Sequence, residues 1–127
     1  MDISKVQWLA PPPPEPGAPE HLNCFQRVLL PYSGVLGLNG EQAKYAGAYF
    51  GGGMGCGGTC GPVIAALLLL GAIGGGDPAR TEAGKEFLIA FAQANGSWLC
   101  QDIFDEEHIR CERAIQFAQE YIERMSK

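Results

Sequence analysis

The chain has 127 residues, of which 46% are apolar, and its 14 acidic and 9 basic side chains give a net charge of −5 at pH 7. This length and composition predict a single globular domain, and the negative charge argues against nucleic acid or acidic membranes as partners. No apolar segment typical of a signal peptide follows Lys5. The longest apolar run, residues 63–73, is shorter than the roughly 20 apolar residues that span a bilayer. We therefore expect a cytoplasmic protein with no membrane span.

Proline is concentrated in residues 10–19, which predicts an extended arm of the polyproline type. We assign residues 1–19 to this arm and residues 20–127 to a single helical domain. The simpler interpretation of the arm is a stiff lead-in to the domain. Alternatively, the arm and Trp8 dock on a proline-binding partner or on a second copy of the chain, which would make a homo-oligomer.

The first two predicted helices lie before a glycine-rich loop. The first is expected to run from Pro19–Glu20 to about Val35, with a break at Pro31. Cys24 and Val35 fall on one side of it. The second is expected over residues 41–50, where apolar residues recur at helical spacing.

The third helix, predicted over residues 60–72, has Thr59 as its N-cap and Pro62 in its first turn, where the missing N–H does little harm. It is apolar on all sides, which predicts a buried central helix. A fourth helix is expected to open at Asp77–Pro78 and to stop at Asn95–Gly96.

A short helical piece then carries Cys100, and a last helix is predicted over residues 105–125 with Asp105 as its cap. The inner face of that helix follows an i, i+3, i+4 pattern. No segment has the alternation of a strand. The sequence thus predicts an all-α fold, a compact bundle of about five helices around the buried central one, with a glycine-rich loop.

That loop, residues 51–58, places Cys60 at the N-terminus of the predicted third helix. Backbone N–H groups are unpaired at a helix N-terminus, and a thiol there tends to ionise more easily. The thiolate is the reactive and metal-binding form, so Cys60 is the leading candidate for a nucleophile. The competing interpretation is a small buried residue at a tight junction.

The other four cysteines give weaker signals. Cys56 precedes Cys60 by one turn and could resolve an oxidised Cys60 as a disulfide, or it could be an incidental thiol. Cys24 and Cys111 lie on apolar helix faces, where cysteine is often plain core. Cys100 is close enough to Cys111 in sequence for one turn to bring them together. In a cytosolic protein such thiols are more often catalytic or metal-binding than a disulfide framework.

Two spacings suggest metal binding. His21-x-x-Cys24 and His108-x-x-Cys111 each place an imidazole and a thiol on one helix face, and four such ligands could form a tetrahedral zinc site. No Cys-x-x-Cys is present, so the sequence supports neither a thioredoxin motif, a zinc ribbon nor ordinary haem attachment. The glycine loop also lacks the Gly-Lys-Ser/Thr ending of a P-loop.

Several segments together resemble a known family. They are Leu22-Asn23-Cys24-Phe25-Gln26, Phe50-Gly51-Gly52-Gly53-Met54-Gly55, Thr59-Cys60-Gly61-Pro62 and two further cysteines near the C-terminus. The chain resembles, over about residues 20–124, the bacterial and archaeal family of redox-active proteins labelled C_GCAxxG_C_C. The family takes its name from four cysteines and a Cys-Gly-Ala-x-x-Gly motif.

The resemblance implies that the four family cysteines are Cys24, Cys60, Cys100 and Cys111, with Cys56 as an extra thiol. The motif departs from the family pattern, with Pro62 for alanine and Ala65 for the final glycine, but neither change removes a sulfur. The family is also grouped with split-Soret cytochromes. Haem is not carried over, because the chain lacks an attachment sequence.

Three hypotheses follow. In the first, the protein is a cysteine-based redox protein, with thiol oxidoreductase as its candidate activity and an unidentified redox partner. Cys60 is then its thiolate and Cys24 its preferred partner, while Cys100 and Cys111 form a second pair or further members of the same site. In the second, the same four cysteines bind zinc or an iron–sulfur cluster, with His21 and His108 as weaker candidates. In the third, the cysteines only pack and the chain is an interaction module.

Overall fold

The computed structural model describes residues 2–6, 22–78 and 81–126. Over these ranges it contains no strand, and one isolated bridge joins Thr59 and Leu99. Six α-helices are present: α1 Cys24–Leu29, α2 Gly40–Ala46, α3 Gly61–Ile73, α4 Thr81–Asn95, α5 Cys100–Ile103 and α6 Ile109–Met125. The predicted all-α class is confirmed. The proline-rich arm and His21 lie outside the described residues, and none of the described helices is long and apolar enough to cross a membrane.

The centre of the bundle is α3, which packs against α1, α4 and α6. Pro62 starts it without the loss of a hydrogen bond, and its inner positions are fully buried: Val63, Ala65, Ala66 and Leu69. The central position is as predicted. The burial is less complete than the sequence suggests, because Leu68 is 45% exposed.

The first helix is shorter than predicted. Residues 22 and 23 are not helical, because Asn23 caps α1 in a reciprocal box with Gln26. The expected break occurs at Pro31, where α1 passes into a 3-10 stretch, Leu30–Leu36. The sequence placed Val35 on one side of the helix with Cys24, but this tighter winding turns Val35 to solvent, with 40% of its surface exposed.

Predicted boundaries elsewhere shift where tertiary contacts intervene. Helix α2 ends before Gly47, whose Cα lies so close to the Phe25 ring that a Cβ would meet it at 2.6 Å. Thr59 is not the N-cap of α3: it pairs with Leu99, and Cys60 takes the cap position. Helix α4 is described only from Thr81 onward.

The last helix begins four residues later than predicted. Asp105 does not cap it directly. Its carbonyl accepts the N–H of His108 at 3.0 Å, and its carboxylate accepts the N–H of Arg110 at 3.2 Å. His108 therefore turns into the left-handed region, with φ 59°, and becomes the residue from which α6 starts.

Candidate thiol site

The glycine loop folds as a left-handed turn. Gly52, Gly53, Met54 and Gly55 have φ values of 64°, 61°, 63° and 77°, a conformation that is unfavourable for residues with a Cβ. The turn closes with a hydrogen bond of 2.9 Å from the Gly58 N–H to the Gly53 carbonyl. The chain thus doubles back tightly before it reaches α3.

A backbone bridge joins this loop to the start of α5. The Cys60 N–H donates to the Trp98 carbonyl at 2.8 Å, and the Cys100 N–H donates to the Gly58 carbonyl at 2.6 Å. Successive side chains in an extended pair point to opposite faces, so residues 60 and 100 share a face as diagonal neighbours. Both are buried, with 6% and 7% of their surface exposed.

The sulfur of Cys24 reaches the same place from α1. Gly61, the first residue of α3, has its Cα so close to α1 that an added Cβ would lie 2.8 Å from the Cys24 Sγ and 2.9 Å from the Phe25 nitrogen. Cys24 therefore lies directly beside the residue that follows Cys60. Glycine at position 61 is what allows this approach.

The fourth sulfur comes from α6, where Cys111 is half-buried in the first turn. Burial raises the pKa of Cys111, and the Asp105 backbone N–H partly offsets that rise. The nearby Cys24, Asp105 and Glu112 add to the rise, because negative charge disfavours the thiolate.

Every pair among Cys24, Cys60, Cys100 and Cys111 is close enough for the charge of one thiolate to act on the other. Burial raises the pKa of Cys60 well above the ordinary thiol range, and the three neighbouring cysteines raise it further. Burial raises the pKa of Cys100 to about 11, with further contributions from Cys24, Cys111 and Cys56. We call these four residues the cysteine cluster.

The expectation that the helix N-terminus makes Cys60 ionise more easily is therefore wrong for the reduced protein. A helix terminus contributes roughly 0.3–1 kcal/mol, and desolvation of a buried anion outweighs it. The Val63 backbone N–H does favour the thiolate, but the Cys60 side chain makes no capping hydrogen bond. All five cysteines are free thiols.

Cys56 lies at the edge of the cluster. It is half-buried, and its Sγ lies 3.5 Å from the Gly53 carbonyl, to which the thiol donates. Its charge acts on Cys100. The predicted exchange between Cys56 and Cys60 stays a prediction, whereas the structure brings Cys56 towards Cys100.

His108, the histidine candidate among the described residues, is not placed as its spacing suggested. His108 precedes α6 and packs edge-on against Phe104, with ring centroids 5.4 Å apart, so it does not share a helix face with Cys111. Among the described residues, no three His, Cys, Asp or Glu side chains are grouped so that they could hold a metal ion. Metal binding by the cluster stays a prediction.

Sequence reasoning missed one ion pair beside the cluster. Arg27 makes a two-pronged pair with Glu112, which joins α1 to α6, and its charge also interacts with Cys24. The pair borders a groove of about 360 Å³ along the start of α6, which His108 and Arg113 also line. The only sequence signal for it was the position of Arg27 three residues after Cys24.

Fold and site together define a small all-α protein that gathers four thiols around the start of its central helix. The chain belongs to the family described as "Putative redox-active protein (C_GCAxxG_C_C)", whose model matches residues 22–125. This match confirms the resemblance seen in the sequence. No curated protein and no solved structure matches the chain.

Proposed function

We propose that the protein carries out thiol–disulfide exchange in which the cysteine cluster, centred on Cys60, cycles between dithiol and disulfide forms. The supporting observation is the mutual proximity of four sulfurs from four segments around a buried Cys60. The family description points to the same general class of chemistry. The proposal places this chemistry in a cytoplasmic helical domain that spans residues 20–127.

The reaction is a two-electron exchange with a partner that carries a disulfide. One cysteine thiolate attacks a partner sulfur and releases the other partner sulfur as a thiol. A second cysteine then attacks the mixed disulfide, which forms a disulfide within the protein and frees the second partner thiol. Two protein thiols have then lost two electrons and two protons, and the partner has gained both.

The burial of Cys60 and Cys100 determines how readily their thiols start the exchange. The raised pKa values of Cys60 and Cys100 keep their thiols protonated at neutral pH, so they are slow to attack as thiolates. A disulfide carries no charge, and its formation removes the repulsion between neighbouring thiolates. Exchange therefore begins at a sulfur that solvent reaches and ends in the buried part of the cluster.

The test is an equilibrium titration of free thiols in glutathione buffers. The wild-type protein is expected to lose thiols in pairs, and Cys60→Ser is expected to lose fewer, with a shifted midpoint. Leu68→Ser is the control, because it introduces the same residue on the exposed side of the same helix. An unchanged titration in Cys60→Ser contradicts the proposal.

Metal binding by the same four sulfurs is the second candidate, although the described side chains are not grouped as metal ligands and would have to draw closer together. Four thiolates suit zinc or an iron–sulfur cluster. Metal content, measured by mass spectrometry on untagged protein purified without oxygen, separates the two. About one zinc, or several irons with sulfide, per chain would replace the exchange proposal. Metal-free protein with all five thiols free would retain it.

A further inference from the structure

Cys56 is the thiol that the four-cysteine cluster does not account for. It follows the left-handed turn, and glycines flank it on both sides, Gly55 and Gly57, with φ 77° and 73°. The described contact of its sulfur is a hydrogen bond of 3.5 Å to the Gly53 carbonyl. Cys56 is half-buried, as are Cys24 and Cys111.

Two glycines separate Cys56 from Cys100, and each touches both residues. A Cβ on Gly53 would lie 2.6 Å from the Cys100 Cβ, and the carbonyl of Gly53 accepts from the Cys56 thiol. A Cβ on Gly58 would lie 3.8 Å from the Cys56 Sγ, and the carbonyl of Gly58 accepts from the Cys100 N–H at 2.6 Å. Gly53 and Gly58 therefore lie between Cys56 and Cys100, and the Met54 methyl also packs at Gly58, 3.0 Å from where a Cβ would stand.

We propose that Cys56 is the entry thiol of the protein, which takes up the partner's disulfide and passes it to Cys100. This inference rests on the proposed exchange function and names the route by which oxidation reaches the buried cysteines. It assigns a role to a thiol outside the four family positions. The partner is defined by its chemistry as a small or flexible disulfide that can reach a half-buried thiol in this loop.

Each step balances. The Cys56 thiolate attacks the partner disulfide, forms a mixed disulfide and releases one partner thiol after protonation. Cys100 then attacks the sulfur of Cys56, which forms the Cys56–Cys100 disulfide and releases the second partner thiol. Finally, a cluster thiol attacks the sulfur of Cys100 and returns Cys56 to the thiol. Two electrons and two protons pass to the partner overall.

The other two half-buried thiols are poorly placed for entry. The Cys24 sulfur packs closely against Gly61, where α1 meets the start of α3. Cys111 lies within the first turn of α6, and the Asp105 backbone N–H faces its sulfur. Exchange needs three sulfurs nearly in line, which favours a sulfur whose backbone can turn. Of the three half-buried cysteines, Cys56 is the one outside an α-helix, and it stands between two glycines that carry no Cβ.

In this transfer from Cys56 to Cys100, which we call the relay, Cys56 affects the rate of oxidation but not the final disulfide. Removal of Cys56 is expected to slow oxidation, but the final disulfide lies within the cluster and does not contain Cys56. Removal of Cys100 is expected to leave the entry step intact and to trap its product. These two signatures are not expected for a cysteine that only packs.

The experiment uses oxidised glutathione as the probe and follows free thiols and peptide masses over time. Cys56→Ser is expected to lose thiols at least tenfold more slowly than wild type and to reach the same final count. Cys100→Ser is expected to accumulate glutathione on Cys56. Ala48→Ser is the control, because it introduces the same residue at an exposed position just before the loop and changes no thiol, and it is expected to react at the wild-type rate. Cys56→Ala and far-ultraviolet circular dichroism check that the loop change leaves the fold intact.

Two results would overturn the inference and leave the exchange function standing: wild-type kinetics in Cys56→Ser, or glutathione found on Cys24 or Cys111 in Cys100→Ser. One further result would overturn both the role of Cys56 and the exchange function. If wild-type protein forms no internal disulfide under any glutathione ratio, the exchange function fails and the relay fails with it.

Discussion

The two ends of the bundle are packed through different kinds of contact. At one end, α4 and α6 meet through aromatic rings: Phe87, Phe91, Phe117 and Tyr121, with centroids 4.9–6.3 Å apart. At the other end, the loop, α1, α3 and α5 meet through glycine backbone and sulfur. The aromatic end packs several large side chains against one another, whereas the cysteine end brings main chains into contact beside a single stacked ring pair, Phe25 and Phe50, with centroids 4.7 Å apart.

This difference implies that one end mainly stabilises the fold and the other mainly positions the cysteines. Large buried rings remove much apolar surface from water and contribute most to stability. Glycine contacts remove little apolar surface, but they let sulfurs approach one another. The comparison predicts that changes at the aromatic end alter stability and leave the redox midpoint alone, whereas changes at the cysteine end alter both.

The largest expected effect comes from the aromatic end. Phe87→Ala removes a fully buried ring and is expected to lower the free energy of unfolding by about 3–5 kcal/mol, as measured by urea denaturation. The redox midpoint of the folded protein should stay at its wild-type value. Tyr49→Ala is the control, because Tyr49 is 91% exposed. A shifted midpoint in Phe87→Ala would show that the two ends are not independent.

The next effect comes from the cysteine end. Gly61→Ala places a methyl 2.8 Å from the Cys24 sulfur and 2.9 Å from backbone, so it is expected to cost about 1–3 kcal/mol and to shift the midpoint. Gly71→Ala lies in the same helix with open space around it. This control should gain up to about 1 kcal/mol, because alanine favours helix. Equal stabilities for the two variants would contradict the close approach of α1 to α3.

A smaller effect depends on pH. The pKa of Cys100 is raised to about 11 from an ordinary value of 9.0, so above pH 9 the unfolded chain loses this proton before the folded one does. The stability of the reduced protein should therefore fall as pH rises from 9 to 11, by up to about 1.4 kcal/mol per pH unit for this thiol. Urea denaturation under reductant at pH 8 and pH 10 measures it. Cys100→Ser should lose that part of the pH dependence; an identical dependence in both proteins would refute the assignment.

The smallest effect is expected at the Arg27–Glu112 pair, whose side chains are 39% and 56% exposed. Glu112→Gln should cost less than about 1 kcal/mol, because water screens the charges. Thermal unfolding of Glu112→Gln, Arg27→Gln and the double variant isolates the coupling. Glu106→Gln is the control for a charge change near the same helix start. A coupling energy well above 1 kcal/mol would mean that the pair, and not the sulfurs, orders this end.

Local patterns predicted the helices but not their starts. The apolar run of α3, the stop at Asn95–Gly96 and the break at Pro31 depend on nearby residues, and all three are present. The starts at Thr59 and Asp105 were wrong because a bridge to Leu99 and a left-handed residue intervene. Both depend on how the chain folds back, which helical periodicity does not encode.

The membership of the cluster was predictable only by resemblance. Sequence spacing placed Cys24 and Cys111 on apolar faces, where plain core was the simpler interpretation. Their convergence on Cys60 depends on the crossing of three helices. The direction of the Cys60 pKa depends on burial, which the helix-start argument did not include. The position of Cys56 towards Cys100 depends on a loop that doubles back, and no local pattern indicates that.

The bridge between residues 59 and 99 also constrains the order in which the protein is assembled. During synthesis, Cys24, Cys56 and Cys60 leave the ribosome long before Cys100 and Cys111 do. In that interval the first three thiols are present in the chain without the other two. The cluster can close only after α3 and α4 have formed and folded back, because such distant contacts follow local ones. A newly made chain is therefore most open to wrong thiol pairing in that interval, and Cys56, which lies in the glycine loop, is the first residue to examine for it.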